Sequence, residues 1–313
     1  MIVSASRRTD IPAFYSDWFF NRMKEGYVCV RNPMSFHQVS KIQLTPDVVD
    51  CIVFWTKNPF DMLANHAQEL ENIHIPYYFQ FTVNPYNQVI EPFVPKKEEI
   101  FKTFISLSEK IGKERLIWRY DPIIFTDTID FNYHVKYFEY IAEKLASYTN
   151  KCIISFLDFY KKTERNMSAI NVFDPTLEQK IVFSRKLYEI ASHHGLKLVT
   201  CAEKLDLSGI GIRHGQCIDS GLIAHLCKGK VLVKKDKNQR EECGCIESID
   251  VGAYNTCRHG CLYCYANYSQ ATVEKQCKLH NPSSPLLFGE LGPEDKIIER
   301  KMETVIDRQQ TLL

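Results

Sequence analysis

IFKTFISLSEKIGKERLIWRY, residues 100–120, holds two periodicities back to back. Ile100, Phe104, Leu107 and Ile111 fall at i, i+4, i+7 and i+11, one face of a helix. Gly112 is a natural end for it, because glycine takes the left-handed backbone at no steric cost. LIWRY (116–120) follows at once. It is apolar on both faces, as a strand buried in a parallel sheet is. A helix that feeds directly into a buried strand is half of a βαβ unit.

The alternation extends both ways. Strands are expected at IVSA (2–5), YVCV (27–30), CIVFW (51–55), YYFQFTV (77–83), CIISFL (152–157) and LKLVTC (196–201). Asp130 can cap a helix with the stripe Phe131, Val135, Phe138, Ala142 and Leu145. Asn58-Pro59 and Asp174-Pro175 each read as a cap followed by proline at the first helical position. Such alternation gives right-handed crossovers and a parallel sheet. The fold expected is α/β, a complete or partial (β/α) TIM-like barrel, with a doubly wound sheet as the rival. Residues 31–50 break the pattern, since FHQVSKIQL reads as extended where a helix is due. The expected organisation is a barrel core over 1–205. A loop-rich cysteine segment, 206–313, packs on its mouth as part of one integrated domain. NPSSPLL (281–287) reads as a turn-rich link to a final amphipathic helix from about Pro293.

A chain of 313 residues with 45% hydrophobic and 25% charged residues is ordinary for a globular protein. It can bury roughly 75% of its unfolded surface, so it needs no covalent staples. Its 12 cysteines therefore need another reason. MIVSASRRTD lacks the apolar core of a secretory signal, and runs such as CIVFW are too short to cross a bilayer. The expected location is cytoplasmic, with no membrane partner. In that reducing compartment so many cysteines argue for metal or redox chemistry over disulfides. A net charge of +1 provides no global field toward nucleic acid or membrane. One local run, KGKVLVKKDKNQR (228–240), is strongly basic. It reads as a solvated loop or as a strip for substrate or partner. No Ser-His-Asp set, P-loop or Gly-x-Gly-x-x-Gly is present.

NTCRHGCLYCYAN, residues 255–267, places Cys257, Cys261 and Cys264 at Cys-x3-Cys-x2-Cys spacing. Thiolates select zinc or iron–sulfur clusters. A structural zinc is closed by four protein ligands, which here requires His259 or another cysteine as the fourth. A cubane cluster on three thiolates leaves one iron open, and three ligands then make a functional arrangement. The run resembles the radical S-adenosylmethionine (SAM) signature. That resemblance implies a 4Fe-4S cluster on Cys257, Cys261 and Cys264, with SAM chelating the open iron. It implies reductive cleavage of SAM to a 5′-deoxyadenosyl radical, with Tyr263 near the adenine. The usual signature follows the first barrel strand; here it follows the last recognisable one. SRRTDIPAFY (6–15), FWTKNP (54–59), RYDPI (119–123) and residues 235–267 together resemble an uncharacterised bacterial domain family. In that family a C-terminal cysteine cluster mimics the radical SAM one.

A second set of thiols, Cys201, Cys217, Cys243 and Cys245, has the number that a second cluster or a structural zinc needs. Redox or unrelated thiols are the remaining reading, and Cys227 is a substitute ligand. Cys29, Cys51 and Cys152 sit in apolar strands as core residues. In parallel α/β folds the working residues lie at the C-terminal ends of strands. That rule selects Arg7, Arg8, Asp10, Lys57, Asn58, Asn84, Arg119, Asp121, Asp158 and Glu203. Arg or Lys would grip SAM's carboxylate or an anionic substrate. Asp121, Asn84 and Glu203 would meet the amino group or ribose hydroxyls. The bland alternative is an ion network of Arg7, Arg119, Asp121 and Glu203 at the barrel mouth, since charges near apolar strands are costly unless paired. The activity expected is SAM-dependent hydrogen abstraction from an unidentified small-molecule or nucleic-acid-derived substrate. The electron donor would be ferredoxin or flavodoxin. The rivals are a zinc-stabilised nucleic-acid-binding module and an electron-transfer protein without SAM chemistry.

Overall fold

The computed structural model describes residues 1–232 and 234–307. Its strands are β1 (Ile2–Ala5), β2 (Tyr27–Asn32), β3 (Ser35–Gln43), β4 (Cys51–Thr56), β5 (Tyr77–Thr82), β6 (Leu116–Ile123), β7 (Lys151–Phe156), β8 (Lys197–Thr200), β9 (Arg213–His214), β10 (Lys230–Val231), β11 (Ile249–Asp250), β12 (Lys296–Glu299) and β13 (Ile306–Asp307). The helices are α1 (Ile11–Phe14), α2 (Ser16–Glu25), α3 (Phe60–Asn65), α4 (Ala67–Glu71), α5 (Lys97–Ile111), α6 (Phe131–Leu145), α7 (Lys161–Met167), α8 (Leu177–His193), α9 (Ser220–Cys227) and α10 (Gln270–Cys277).

Eight strands form one parallel sheet in the order β11-β1-β4-β5-β6-β7-β8-β9. From β1 onward the spatial order follows the chain without reversing. A doubly wound sheet reverses at its switch point; this one does not. Among the described residues β11 and β9 do not pair, so the sheet stays open and the complete barrel is not formed.

Period-two alternation gives each strand two apolar faces. Val3, Ile52, Phe54, Phe79, Phe81, Trp118, Tyr120 and Ile154 pack with the helix residues Phe104, Leu107, Phe138, Phe183 and Leu187. Ile2, Cys51, Val53, Tyr78, Ile117, Ile153 and Val199 face the other way, onto Cys217, Ile218, Ile223, Cys245, Ile246 and Ile306. The C-terminal segment thus covers the second face of the sheet, which right-handed crossovers leave bare. It also contributes strands: β11 beside β1, β12 beside β3, and β13 beside β10.

Several elements differ from expectation. YVCV is a strand, but it pairs antiparallel with β3 in a separate three-stranded sheet, which is why FHQVSKIQL broke the alternation. No helix follows Pro293 among the described residues. KIIE (296–299) instead pairs with the free edge of β3, a gain that a short helix, marginal in water without packing, does not match. The tail from 308 to 313 and Val233 of the basic run lie outside the described residues. Helix α8 is capped by Thr176, in a capping box with Gln179, rather than by Asp174. Helix α3 begins after Asn58-Pro59 with no side-chain cap bond. No described helix is long and apolar enough to cross a membrane.

Candidate functional site

At the C-terminal ends of the parallel strands lies a cavity of about 440 Å³. All seven cysteines of the two expected sets line it. So do Arg7, Arg8, Asp10, Lys57, Arg119, Asp121 and Tyr263. Two groups of thiols distant in sequence therefore face one space.

The first group is delivered by β11. Beyond Asp250 the chain passes so close to the turn after β1 that a Cβ on Gly252 would stand 2.1 Å from Ser6 Oγ. Tyr15 then holds the Thr256 carbonyl (2.6 Å), and Asn267 holds that of Cys257 (2.7 Å). Gly260, at φ +67, turns the chain where a side chain would meet Phe93. The loop is pinned on its far side by Phe93 N–H to the His259 carbonyl and Leu262 N–H to the Ile90 carbonyl. Burial pushes the Cys257 thiol well up. Burial also raises Cys261, to about 12, although the Lys57 ammonium opposes it. Such thiols stay neutral until a metal displaces the proton.

His259 turns its Nε2 to Asp10 (2.7 Å), and its ring lies tilted against that of Phe14, centre to centre 4.6 Å. Among the described residues no three His, Cys, Asp or Glu side chains converge to hold a single metal ion.

The second group forms a chain of contacts. Cys201 Sγ lies 2.9 Å from Cys217 Sγ. Cys217 bonds on to Cys245, and Cys245 to Cys243. Cys245 Sγ also accepts from the backbone of Cys217 (3.3 Å) and Ile218 (3.4 Å). Tyr78 and Gln80, pointing inward from β5, both hold the Cys217 carbonyl. The bond with Cys201 favours a Cys217 thiolate, but Cys245 and burial outweigh it and push the thiol up to about 12. Cys243 is drawn down by its bond to Cys245. Cys227 is elsewhere, with its Sγ donating to the Asp50 carbonyl. Cys29, Cys51 and Cys152 are buried in strands.

The selected charges fall into separate networks. Arg119, inside β6, donates to Cys217 Sγ (2.7 Å), pairs with Asp121, and lies 5.3 Å from the Trp55 ring. Asp121 also accepts from Ser155. Arg7 donates to Ser248 (3.1 Å) and stands 3.9 Å from Asp236 and Asp250. Asp10 is a hub: it accepts from the backbone of Ala13 and Lys57 and from His259. Asn84 and Glu203 do not line the cavity. Asn84 instead bridges the Asp121 backbone and the Tyr263 hydroxyl. Glu203 accepts from Phe156 N–H, and burial raises its carboxyl to about 7. One ion network joining Arg7, Arg119, Asp121 and Glu203 is not what these contacts make. Asn58 turns its backbone onto Thr56, and Asp158 pairs with Arg240. Asn238, Gln239 and Arg240 bring the end of the basic run onto the cavity wall.

Glu91 is the residue that sequence reasoning missed. It is buried, and accepts from Lys57 (2.9 Å), Lys97 (2.7 Å) and the Tyr263 hydroxyl (2.5 Å). Burial alone would raise its carboxyl; the two ammonium groups pull it down to about 2. It lies in an irregular stretch, NPYNQVIEPFVP (84–95), where no periodicity marks a buried side.

Residues 2–266 match the family described as Domain of unknown function (DUF1848). The chain belongs to this family. The match runs from β1 through the whole Cys257–Cys264 loop, so both thiol sets and every strand of the large sheet fall inside the DUF1848 domain. No curated protein matches the chain.

Proposed function

We propose that this DUF1848 protein is an iron–sulfur enzyme of the radical SAM type, with a 4Fe-4S cluster held by Cys257, Cys261 and Cys264. The observation that carries the reading is the cavity. The three thiols open onto about 440 Å³ shared with Arg7, Arg8, Lys57, Arg119 and Asp121, rather than closing on one another. When bound, the cluster would supply the electron that cleaves SAM, and the resulting deoxyadenosyl group would take a hydrogen atom from the substrate.

The chain's own residues have definable tasks. Glu91 fixes Lys57 beside Cys261, where its charge offsets thiolate. Glu91 and Asn84 together fix the Tyr263 hydroxyl and so the ring that borders the cavity. Arg7 and Arg8, on the turn after β1 and each 3.9 Å from Asp250, are the cavity-wall cations that a ligand carboxylate would meet. The unreversed strand order supports reading the sheet as an incomplete (β/α) barrel. The cysteine loop follows β11, which lies at the sheet edge beyond β1. In space it thus issues from an edge strand of the sheet, although it comes late in the chain.

Cys201, Cys217, Cys243 and Cys245 support a second cluster, because four contiguous thiols face the same cavity. Arg119, within reach of Cys217 Sγ, would balance part of its charge.

The test is anaerobic purification and reconstitution, followed by iron and sulfide analysis. Electron paramagnetic resonance of the reduced protein with and without SAM comes next, then an assay for 5′-deoxyadenosine with dithionite or with ferredoxin or flavodoxin. A SAM-dependent spectral change and 5′-deoxyadenosine are expected. Stoichiometric zinc without iron would overturn the reading. An intact, reduced cluster that is indifferent to SAM would leave electron transfer as the function.

A further inference from the structure

Around the mouth of the cavity the surface carries exposed aromatic rings interleaved with cations. Tyr265 is 54% exposed, Tyr268 61% and Tyr160 47%, and Tyr160 and Tyr265 are also on the cavity wall. Exposure of this size matters because a large ring normally gains by burial. Helix α7 brings two cations to these rings. Lys162 donates to the Tyr265 carbonyl (3.0 Å), and Arg165 to that of Tyr268 (3.4 Å) with its guanidinium 5.3 Å from the ring centre. Their acceptors are backbone carbonyls, so their charge is not cancelled by a carboxylate there. Arg8, 3.9 Å from Asp250, lies 5.0 Å over the Tyr254 ring, near where Tyr265 bonds the Arg7 carbonyl (2.8 Å). Across the mouth, Arg240 ends the basic run beside Tyr160.

We infer that this rim binds single-stranded nucleic acid. Bases stack on Tyr265 and Tyr268, phosphates meet Lys162, Arg165 and Arg8, and one base can turn into the cavity. Stacking platforms flanked by cations suit a strand, because every base has a π-face and every link a charge. A duplex fits less well, since its paired bases cannot reach a recessed cavity without leaving the stack. The inference names the substrate class of the proposed reaction site and in that respect rests on it; binding at the rim does not require the reaction.

The test uses the full chain, purified anaerobically, with fluorescein-labelled single-stranded DNA and RNA of mixed sequence, the matching duplex, and an acidic peptide. Binding is read by anisotropy at several salt concentrations. Three phosphate contacts give a log–log salt slope of about −2, hence roughly a twentyfold loss of affinity from 50 to 200 mM salt. Tyr268→Ala should weaken strand binding at least about fivefold, as loss of one stacked base does. Arg165→Ala should flatten the slope by about 0.7. Equal affinity for strand and duplex, or unchanged affinity in Tyr268→Ala, would overturn the inference. Saturable binding of the peptide alone would make the rim a protein-docking surface instead. SAM cleavage without strand binding would sink this inference and spare the enzyme. Strand binding in a protein that cleaves no SAM would do the reverse.

Discussion

Replacing Glu91 with Gln removes one negative charge from a site that is 2% exposed, and leaves Lys57 and Lys97 facing each other there. The carboxyl is held at about 2 instead of the ordinary 4.5. At 1.36 kcal/mol per pH unit that difference amounts to about 3 kcal/mol favouring the charged form. Breaking one side of a buried ion pair costs about 3–5 kcal/mol by an independent route. Both give a loss of about 3 kcal/mol for Glu91→Gln. The assay is urea unfolding of the anaerobic protein against wild type across pH. A folded-state value below the unfolded one stabilises fully above the unfolded value and loses that stabilisation as pH falls through the folded value. The deficit of the variant should therefore be flat from about pH 6 to 8 and shrink below about pH 4.5. A variant within about 0.5 kcal/mol of wild type at pH 7.5 would refute the claim that Glu91 is ionised and shared by two lysines. A deficit unchanged down to the acid limit would refute it equally.

Cys257→Ala, Cys261→Ala and Cys264→Ala together should remove one cluster's worth of iron while the far-ultraviolet circular dichroism stays as in wild type, because the core is built mainly by the sheet and its helices, with Cys261 the one buried member of the trio in it and Cys264 packed against it. The quadruple Ala variant of Cys201, Cys217, Cys243 and Cys245 should lower metal content and local hydrogen-exchange protection over 201–245, yet keep the SAM-dependent resonance signal; full metal retention would show that these thiols are not ligands. Burial lowers His134 to about 4, and it is held neutral between the Tyr120 hydroxyl and the Ile124 carbonyl. Its stabilisation is full above the ordinary value near 6.5 and lost as pH falls through about 4. Lowering pH from 7 to 5 should cost about 2 kcal/mol through this residue, and a His134→Phe variant should lose that part of the pH dependence in urea titrations.

Long periodic segments made most of the fold legible. The stripe of α5 and the doubly apolar strands β4 to β8 are set by local pattern, and the structure places them where the pattern does. The two-residue strands β9 and β11 carry no pattern, because so short a segment cannot show a period. β2 reads as a strand, but nothing local says which sheet it joins; its antiparallel partner β3 decides that. The segment from Pro293 reads as an amphipathic helix, but the free edge of β3 draws KIIE into a strand whose four residues are all exposed. At the site, the rule that parallel sheets work at strand ends selected Arg7, Asp10, Lys57, Arg119 and Asp121, all on the cavity wall. It missed Glu91 because that carboxylate enters from an irregular loop and is defined only by the lysines that meet it. It also could not show that two cysteine sets face one cavity, since that follows from the C-terminal segment covering the sheet.

The place of β11 leads to a last prediction. The order of strands across the large sheet is β11-β1-β4-β5-β6-β7-β8-β9, so only β11 is out of chain order. The Cys257–Cys264 loop needs β11 beside β1, through Val3 opposite Ile249 and Ser4 opposite Asp250. It has no physical need for β11 to be made last. The Met1 ammonium donates to the Glu303 carbonyl at 2.8 Å, so residues from the two ends of the described chain already touch. Opening the chain between Glu241 and Glu242, in the turn before Cys243, and joining Leu313 to Met1 would put β11 and the cysteine loop ahead of β1. Chain order and spatial order in the sheet would then coincide. Loop entropy changes by about 0.6 kcal/mol per doubling of loop length, and the join also turns the Met1 ammonium, which pairs with buried Asp50, into a neutral amide, so the permuted protein should be less stable than the native order. The permuted protein should fold with the same circular dichroism, bind the same iron and show the same response to SAM as the native order. A folded permutant that binds no iron, beside a native-order protein that does, would mean the late position of the motif is required for the site.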